Sequence, residues 1–310
     1  MYKPRRAFLT QLSVIAGVAA FNKPFNAVAS VTKSVNTLNA SQSAAAIYHT
    51  SDLNGHISAV YKNIGGLRHV KTVLKNQDIG GLLLDAGNFM STSKSMLQQR
   101  EMISMMNATG YHAAALGENE LNMGQERLIS LIPLMQFSFL NCNMQFDNQL
   151  AELVKPYIVV HSGNFKIGMT AVCKQIAGVK FNDPNASAAR VARLLKINEK
   201  CDLVICLSHL GEESNREFAK QSENIDMVIS GNAPKFCLNT QVLGNKSKHE
   251  IVLTQTGRNG LLFGRTIFNF DTQKNKSGVK AKHFIPGLPD DRELYAKTFS
   301  TLKLVSGLAV

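Results

Sequence analysis

Short apolar runs recur along this chain, and each of them ends in a polar or glycine-rich turn. They are rich in Val, Ile, Leu and Phe, a composition that is typical of strands buried in a protein core. The runs lie at 45–49, 81–84, 113–116, 137–141, 157–160, 166–172, 203–207, 227–229, 251–254 and 266–270. A chain with this many short buried strands has to gather them into sheets.

Amphipathic stretches separate several of these runs. Apolar residues recur at a spacing of three to four in 65–77, 94–110 and 185–198, and 214–225 is a more polar helix candidate. We interpret the methionines of 94–110 as the core face of one helix that ends at Gly110, rather than as a metal-binding cluster. Strands that alternate with helices predict an α/β domain, and the strands beyond residue 250 predict antiparallel additions.

The first 29 residues are predicted to be a secretory signal peptide. A basic start is followed by the apolar run 12–21, which is too short to span a bilayer, and by the small residues Ala27 and Ala29. Arg5-Arg6 resembles a twin-arginine signal, with an ordinary basic signal or an uncleaved anchor as the alternatives. We therefore expect a periplasmic or otherwise extracytoplasmic protein.

The remainder of the chain divides in two. Residues 30–45 are polar and small and are predicted to be a flexible linker, and 46–310 is predicted to be a single domain. No second long apolar segment is visible, so we expect no transmembrane segment after processing.

The charge balance is basic. The formal net charge is +12, and residues 1–29 contain four Lys or Arg and no acid, so the processed chain carries +8. This excess predicts either a solvated surface or attraction to anions such as nucleotides or lipid headgroups. Aromatic residues are not interleaved with the basic ones, so no nucleic-acid partner is expected. The five cysteines fit no zinc pattern, and their odd number leaves at least one free thiol.

Six segments with polar or glycine-rich ends coincide with or directly follow strand candidates. They are SDLNGH (51–56), LLLDAGNF (82–89), ALGENELNMG (115–124), ICLSHLG (205–211), ISGNAP (229–234) and TQTGRNGLLFGR (254–265). Loops that follow strands are where α/β folds place their ligand sites, so these segments are the candidates for a common site.

In order and spacing the segments resemble the catalytic domain of the 5'-nucleotidases, which are part of the calcineurin-like metallophosphoesterases. The patterns D-x-H-G-H, G-D, G-N-H-E-x-D, S-H-x-G and G-H-x-H of that family read here D-L-N-G-H, G-N, G-E-N-E-L-N, S-H-L-G and G-N-A-P. The likeness runs from 45 to 270. It implies a four-layer α/β sandwich of two mixed sheets flanked by helices.

The resemblance also implies two metal ions that clamp a phosphoryl group. Asp52 and His209 match the family's ligands, and Glu118 stands at an Asn ligand position as a candidate third ligand. Asn54 replaces a histidine, and Asn88 replaces the aspartate that bridges both metals. An amide oxygen carries no full charge and is a poor bridge between two dications.

The proton donor of the family is replaced as well. Asn119 stands where a histidine assists the leaving group, and Asn122 stands where a carboxylate pairs with that histidine. An amide does not titrate, so it cannot act as a general acid. Asn232 and Pro234 replace two further histidine ligands. We therefore expect no metal ion or one weakly bound divalent ion, and not the two-metal centre.

Two functions remain open at this point. The first is a non-catalytic exported member that serves as a binding or partner module, with a separately encoded nucleotide-binding domain as a candidate partner. The second is an active phosphoesterase with a single-metal site of Asp52, Glu118 and His209.

A third and smaller prediction concerns small phosphate-containing ligands. Backbone amides of Gly87, Gly117 and Gly231 lie beside predicted helix starts, where anions are favoured.

Overall fold

The computed structural model describes residues 32–35, 43–146, 148–232, 239–291, 293–299 and 301. The predicted signal peptide, Cys237 and the site candidate Pro234 lie outside the described residues. Within the described ranges no helix is both long and apolar enough to cross a bilayer.

The described strands include every apolar run predicted from the sequence. They are β1 (Thr32–Val35), β2 (Ala44–Thr50), β3 (Leu82–Asp85), β4 (Ala113–Ala115), β5 (Ser138–Leu140), β6 (Met144–Gln145), β7 (Tyr157–Ser162), β8 (Phe165–Cys173), β9 (Lys180–Phe181), β10 (Leu203–His209), β11 (Met227–Ser230), β12 (Asn239–Gly244), β13 (Glu250–Gln255), β14 (Phe263–Phe270) and β15 (Lys276–Phe284).

Two large mixed sheets hold most of these strands. Sheet 1 has the order β1-β7-β8-β10-β11-β13-β12, sheet 2 has the order β15-β14-β2-β3-β4-β5, and β6 pairs with β9 alone. The central strands β8, β10, β11 and β13 run parallel, as do β2 to β5. The antiparallel pairing predicted for the strands beyond residue 250 is confirmed for β14 and β15. It is wrong for β13, which runs parallel to β11 inside sheet 1 and has the antiparallel β12 on its other side.

Helices cover the outer faces of the two sheets. They are α1 (Leu67–Lys75), α2 (Met96–Thr109), α3 (Glu118–Asn122), α4 (Gln125–Leu131), α5 (Asn148–Leu153), α6 (Pro184–Arg193) and α7 (Glu212–Gln221). Helix α2 begins with a reciprocal cap between Ser95 and Gln98 and ends at Gly110 in the left-handed conformation, as predicted.

The alternation of side chains along each strand creates four layers. Ile47 and Leu84 of sheet 2 point inward and share one apolar cluster with Ile205 of sheet 1. The residues that alternate with them along the strands point outward. Tyr48 and Leu83, for example, pack with the helices α1 and α2. The outer face of sheet 1 is covered in the same way by α6 and α7. The predicted four-layer sandwich with two mixed sheets is confirmed.

Some elements differ from the sequence predictions. Thr32–Val35, inside the segment predicted to be a linker, form β1 and pair in parallel with β7 through backbone hydrogen bonds. Strand β15 was not predicted because it is an edge strand whose side chains are mostly exposed or half-buried, which hides the apolar pattern. Helices α3 and α5 are too short for an amphipathic period to be visible.

The cysteines that the structure describes are buried as free thiols: Cys142, Cys173, Cys201 and Cys206. Burial raises the pKa of Cys142 to about 11 and that of Cys173 to about 12. These thiols behave as small apolar residues of the core rather than as nucleophiles or metal ligands.

Candidate functional site

The loops that follow β2, β3, β4, β10 and β11 meet between the two sheets. The backbone N–H of Asp52, after β2, donates to the carbonyl of Gly87, after β3, at 2.9 Å. The N–H of Asn232, after β11, donates to Asp52 Oδ2 across the sheets at 2.9 Å. The structure thus brings together residues that lie 180 positions apart in the chain. This convergence is what the motif order predicted.

Asp52 is the central acceptor of this region. Its side chain is almost fully buried, and Oδ1 accepts a hydrogen bond from Asn88 Nδ2 at 3.3 Å while Oδ2 accepts from the Asn232 amide. Burial raises the pKa of Asp52, although the nearby His209 imidazole and Arg258 guanidinium act in the opposite direction. Both carboxylate oxygens are therefore engaged with protein donors.

Asparagines at three substituted positions, together with Asn259, are linked by side-chain and backbone hydrogen bonds. Asn119 Nδ2 donates to Asn54 Oδ1 at 2.9 Å, and Asn54 Nδ2 donates to Asn259 Oδ1 at 2.9 Å. Asn88 Oδ1 accepts from the backbone N–H of Asn119 at 2.8 Å. We call Asn54, Asn88, Asn119 and Asn259 the amide network. Asn54 and Asn88 each use both their amide nitrogen and their amide oxygen in this network, because a carboxamide offers a donor and an acceptor.

Backbone conformation is a second reason for asparagine at these positions. Asp52, Asn54, Asn88 and Asn232 have φ values of 50°, 48°, 56° and 56°. This left-handed region is uncommon outside glycine, and Asn and Asp adopt it more readily than most residues. The tight left-handed turns after β2, β3 and β11 therefore bring these short polar side chains to the place where the loops converge, which we call the cleft.

His209 lies at the end of β10 and is fully buried. Its Nδ1 lies 2.9 Å from the carbonyl of Ala86, so Nδ1 carries the proton. Its Nε2 has no hydrogen-bond partner among the described residues. A Cβ atom at either Gly87 or Gly231 would lie less than 3.0 Å from the ring nitrogen Nδ1. The imidazole is thus clamped between two glycines.

Glu118 forms an ion pair with a lysine. Its Oε2 lies 2.6 Å from Lys174 Nζ, and both side chains are 38% exposed. Asn122 is exposed at the end of α3. The donors to the Asp52 carboxylate within the described part of the chain are Asn88 and Asn232, and neither Glu118 nor Asn122 bonds to it.

Glu120 was missed by the sequence reasoning although it is buried at the centre of the site. Its carboxylate accepts backbone N–H groups of Asn88, Met90 and Gly117 at 2.9–3.1 Å. It ties the loop after β3 to the loop after β4. Its position in G-E-N-E, two residues after Glu118, was the available signal.

The glycine amides predicted to bind anions are already engaged. Gly87 N–H donates to Asp85 Oδ1 at 2.9 Å and Gly117 N–H to Glu120 Oε2 at 2.9 Å. Gly231 N–H donates to the Ser208 carbonyl at 2.8 Å. An anion at these amides would have to displace a protein oxygen, so the geometry argues against that site.

Two fully buried carboxyls make stability depend on pH. Burial raises the pKa of Asp85 to about 8 and that of Glu120 to about 7. A raised folded-state pKa favours the folded protein at low pH, so this contribution is lost as the pH rises through 7 and 8. We expect the free energy of unfolding to fall by about 2 kcal/mol between about pH 6.5 and about pH 8.5.

Urea denaturation at several pH values measures this effect. The Asp85→Asn variant should lose most of the pH slope, because the amide imitates the protonated acid: it can donate to Thr50 Oγ1 and accept from the Gly87 amide. Burial lowers the pKa of His49, so this imidazole stays neutral over the whole range. An unchanged slope in Asp85→Asn would contradict the assignment.

Comparisons with known proteins agree with this geometry. No family model matches the chain. It is 29% identical over 198 residues to the NAD 5'-nucleotidase of Haemophilus influenzae. That alignment covers 59% of this chain and 32% of the relative. It is 27% identical over 218 residues to a 5'-nucleotidase of Vibrio cholerae, covering 60% of this chain and 39% of the relative. The crystal structure of a 5'-nucleotidase precursor from Thermus thermophilus superposes with a TM-score of 0.72 at 19% identity, covering 86% of this chain and 59% of that one.

The chain is thus similar in sequence to 5'-nucleotidases and shares the fold of a solved 5'-nucleotidase structure. It spans less than half of the length of the curated relatives it matches. The common part is the layered α/β fold with its converging loops.

The metal pair of the metallophosphoesterases does not fit the residues at this site. Among the described residues no group of three or more His, Cys, Asp or Glu side chains is arranged to hold a metal ion. At the bridging position Asn88 uses both amide atoms for protein contacts, and both oxygens of Asp52 accept hydrogen bonds. The Glu118 carboxylate faces Lys174.

Proposed function

We propose that this chain is a non-hydrolytic, exported member of the 5'-nucleotidase family that acts as a binding or partner-organising module. The amide network carries this proposal. Three of its asparagines, Asn54, Asn88 and Asn119, stand at positions where the family pattern has metal ligands and the general acid. They bond to one another, to Asp52 and to Asn259. These contacts give the positions a structural role that is complete without a metal ion.

The chemistry of phosphate ester hydrolysis supports the same proposal. Activating a water molecule and neutralising the phosphoryl charge require a Lewis acid or several cationic donors, and the leaving oxygen requires a proton. Asn119 cannot supply that proton, and its Nδ2 donates to Asn54 Oδ1 and to the Met90 carbonyl. Asn88 supplies no charge at the bridging position.

One observation favours the alternative of a single-metal phosphoesterase. His209 is buried with Nδ1–H on a carbonyl and Nε2 unpaired within the described part of the chain, which is the orientation of a metal-ligating imidazole. His209 is close enough to Asp52 to affect the pKa of that carboxyl. Two donors hold a divalent ion weakly, because ligand number and charge set the affinity.

A turnover assay separates the two candidates. The purified full chain is incubated with AMP and with an aryl phosphate in the presence of Mn²⁺, Zn²⁺, Mg²⁺ or Ca²⁺, and phosphate release is measured. We expect no release above that of the Asp52→Ala, His209→Ala double variant. Turnover that this double variant loses would establish the single-metal enzyme and overturn our proposal.

The partner role needs its own test. The tagged chain is expressed with its own N-terminus in a bacterial host, and proteins that co-purify from the periplasm are compared with those of an unrelated exported protein. We expect specific enrichment of a partner, and a separately encoded nucleotide-binding protein is the candidate. Equal recovery from both baits would count against a partner role.

A further inference from the structure

An ion pair stands at the edge of the cleft where the family would use metal ions. Lys174 Nζ lies 2.6 Å from Glu118 Oε2, and Glu118 occupies a position that is a metal ligand in the family pattern. Lys174 follows β8 directly, and its backbone N–H donates to the His209 carbonyl at 3.3 Å. The ammonium group therefore belongs to the same loop layer as the candidate ligands.

The pair connects the two sheets. Glu118 begins α3 in the loop after β4 of sheet 2, whereas Lys174 lies in the loop after β8 of sheet 1. Two hydrogen bonds make the same connection: Asn232 N–H to Asp52 Oδ2, and His209 Nδ1–H to the Ala86 carbonyl. In a two-metal site, ions bridge such loops. Here protein groups bridge them directly.

Charges of both signs lie close to Cys173. Glu118 and Glu120 both raise the pKa of the Cys173 thiol, and Lys174 lowers it, so all three charges lie near that side chain. Glu120 is satisfied by backbone amides but carries no cationic partner in those contacts. The half-exposed Glu118 carboxylate has its own cation at ion-pair distance, the Lys174 ammonium.

We propose that the Lys174 ammonium is a resident cation of this cleft, which neutralises Glu118 and joins the loops of the two sheets in the way that a bound metal ion would. This inference rests on the proposed non-hydrolytic function and deepens it. The chain carries its own cation directly after β8 and needs none from solution to keep these loops together.

Hydrogen–deuterium exchange of the full chain tests the proposal. The Lys174→Met variant should exchange about two- to fivefold faster at the amides of Asn119 and Lys174, the range expected for losing a half-exposed ion pair. Lys174→Arg keeps the charge and should match the wild type. The matched control is Lys166→Met, which removes the 3.1 Å pair with Glu199 at the opposite end of β8.

Repeating the exchange experiment with added Mn²⁺ distinguishes a resident cation from an ordinary ion pair. Millimolar Mn²⁺ should slow exchange in Lys174→Met toward the wild-type rate, because the uncompensated Glu118 again attracts a cation, and should leave the wild type and Lys166→Met unchanged. Equal exchange in Lys174→Met and wild type, or no effect of Mn²⁺ on Lys174→Met, would overturn the proposal. Phosphate release by the wild type would instead overturn the proposed function, so the two failures are distinguishable.

Discussion

Replacing Gly231 with alanine is expected to lower the free energy of unfolding by about 3 kcal/mol, a typical cost of overpacking a rigid site. A Cβ at this position would lie 2.5 Å from the Ala86 carbonyl oxygen and 2.7 Å from His209 Nδ1. Those two atoms are hydrogen-bonded to each other at 2.9 Å, and both residues are fully buried. Relief of the clash has to separate the two sheets at the site and break this bond.

Urea denaturation of Gly231→Ala measures the loss. Gly244→Ala is the matched control, because a Cβ there meets nothing within 4 Å and its φ also lies outside the left-handed region. That control should lie within about 0.5 kcal/mol of the wild type. Equal stability of the two variants would show that the sheets are not closely joined at His209 and Ala86.

Replacing Asn88 with aspartate is expected to destabilise the protein by about 2 to 4 kcal/mol at neutral pH. The substitution replaces an amide that donates to the buried Asp52 carboxylate with a second negative charge beside it. Asn88 Nδ2 donates to Asp52 Oδ1 at 3.3 Å, and both side chains are buried. Aspartate has the same shape, tolerates the left-handed backbone and still accepts from Asn119 N–H. The variant therefore changes charge and donor capacity alone.

The pH dependence of this variant follows from the same contact. The new carboxyl should have a folded-state pKa above its unfolded value of about 3.9, so its penalty is complete at high pH and disappears as the pH falls below about 4. Denaturation of Asn88→Asp and wild type across this range measures it. Asn122→Asp makes the same change at an exposed position and should be nearly neutral. A variant Asn88→Asp as stable as the wild type at pH 7 would mean that the amide is not required.

The buried strands of this protein and the convergence of its motif segments are well predicted from the sequence. Each apolar run became a strand because nearly every residue in it is buried between or beside the sheets, as in β3 and β10. The edge strands β12 and β15 were missed because exposed edges carry no such pattern. The motif segments converge because they follow parallel strands of two sheets that face each other.

The side-chain contacts of the site were less predictable. Residue type alone shows that Asn88 and Asn119 replace residues of the family pattern. It does not show that Asn88 bonds to Asp52 and that Asn119 bonds to Asn54. Sequence spacing does not determine loop geometry. It therefore could not predict that Asn259 bonds to Asn54, or that Glu118 pairs with Lys174, 56 positions away. Those contacts link the substituted positions to one another and to Asp52.

The central claim is that protein contacts, not metal ions, hold these loops together. It is tested most directly by thermal unfolding of the wild-type chain in chelator and in millimolar Mn²⁺ or Zn²⁺, because any ion that binds the folded state alone raises the melting temperature. We predict the same melting temperature in all three conditions. A rise with metal that the Asp52→Ala, His209→Ala double variant abolishes would contradict the account.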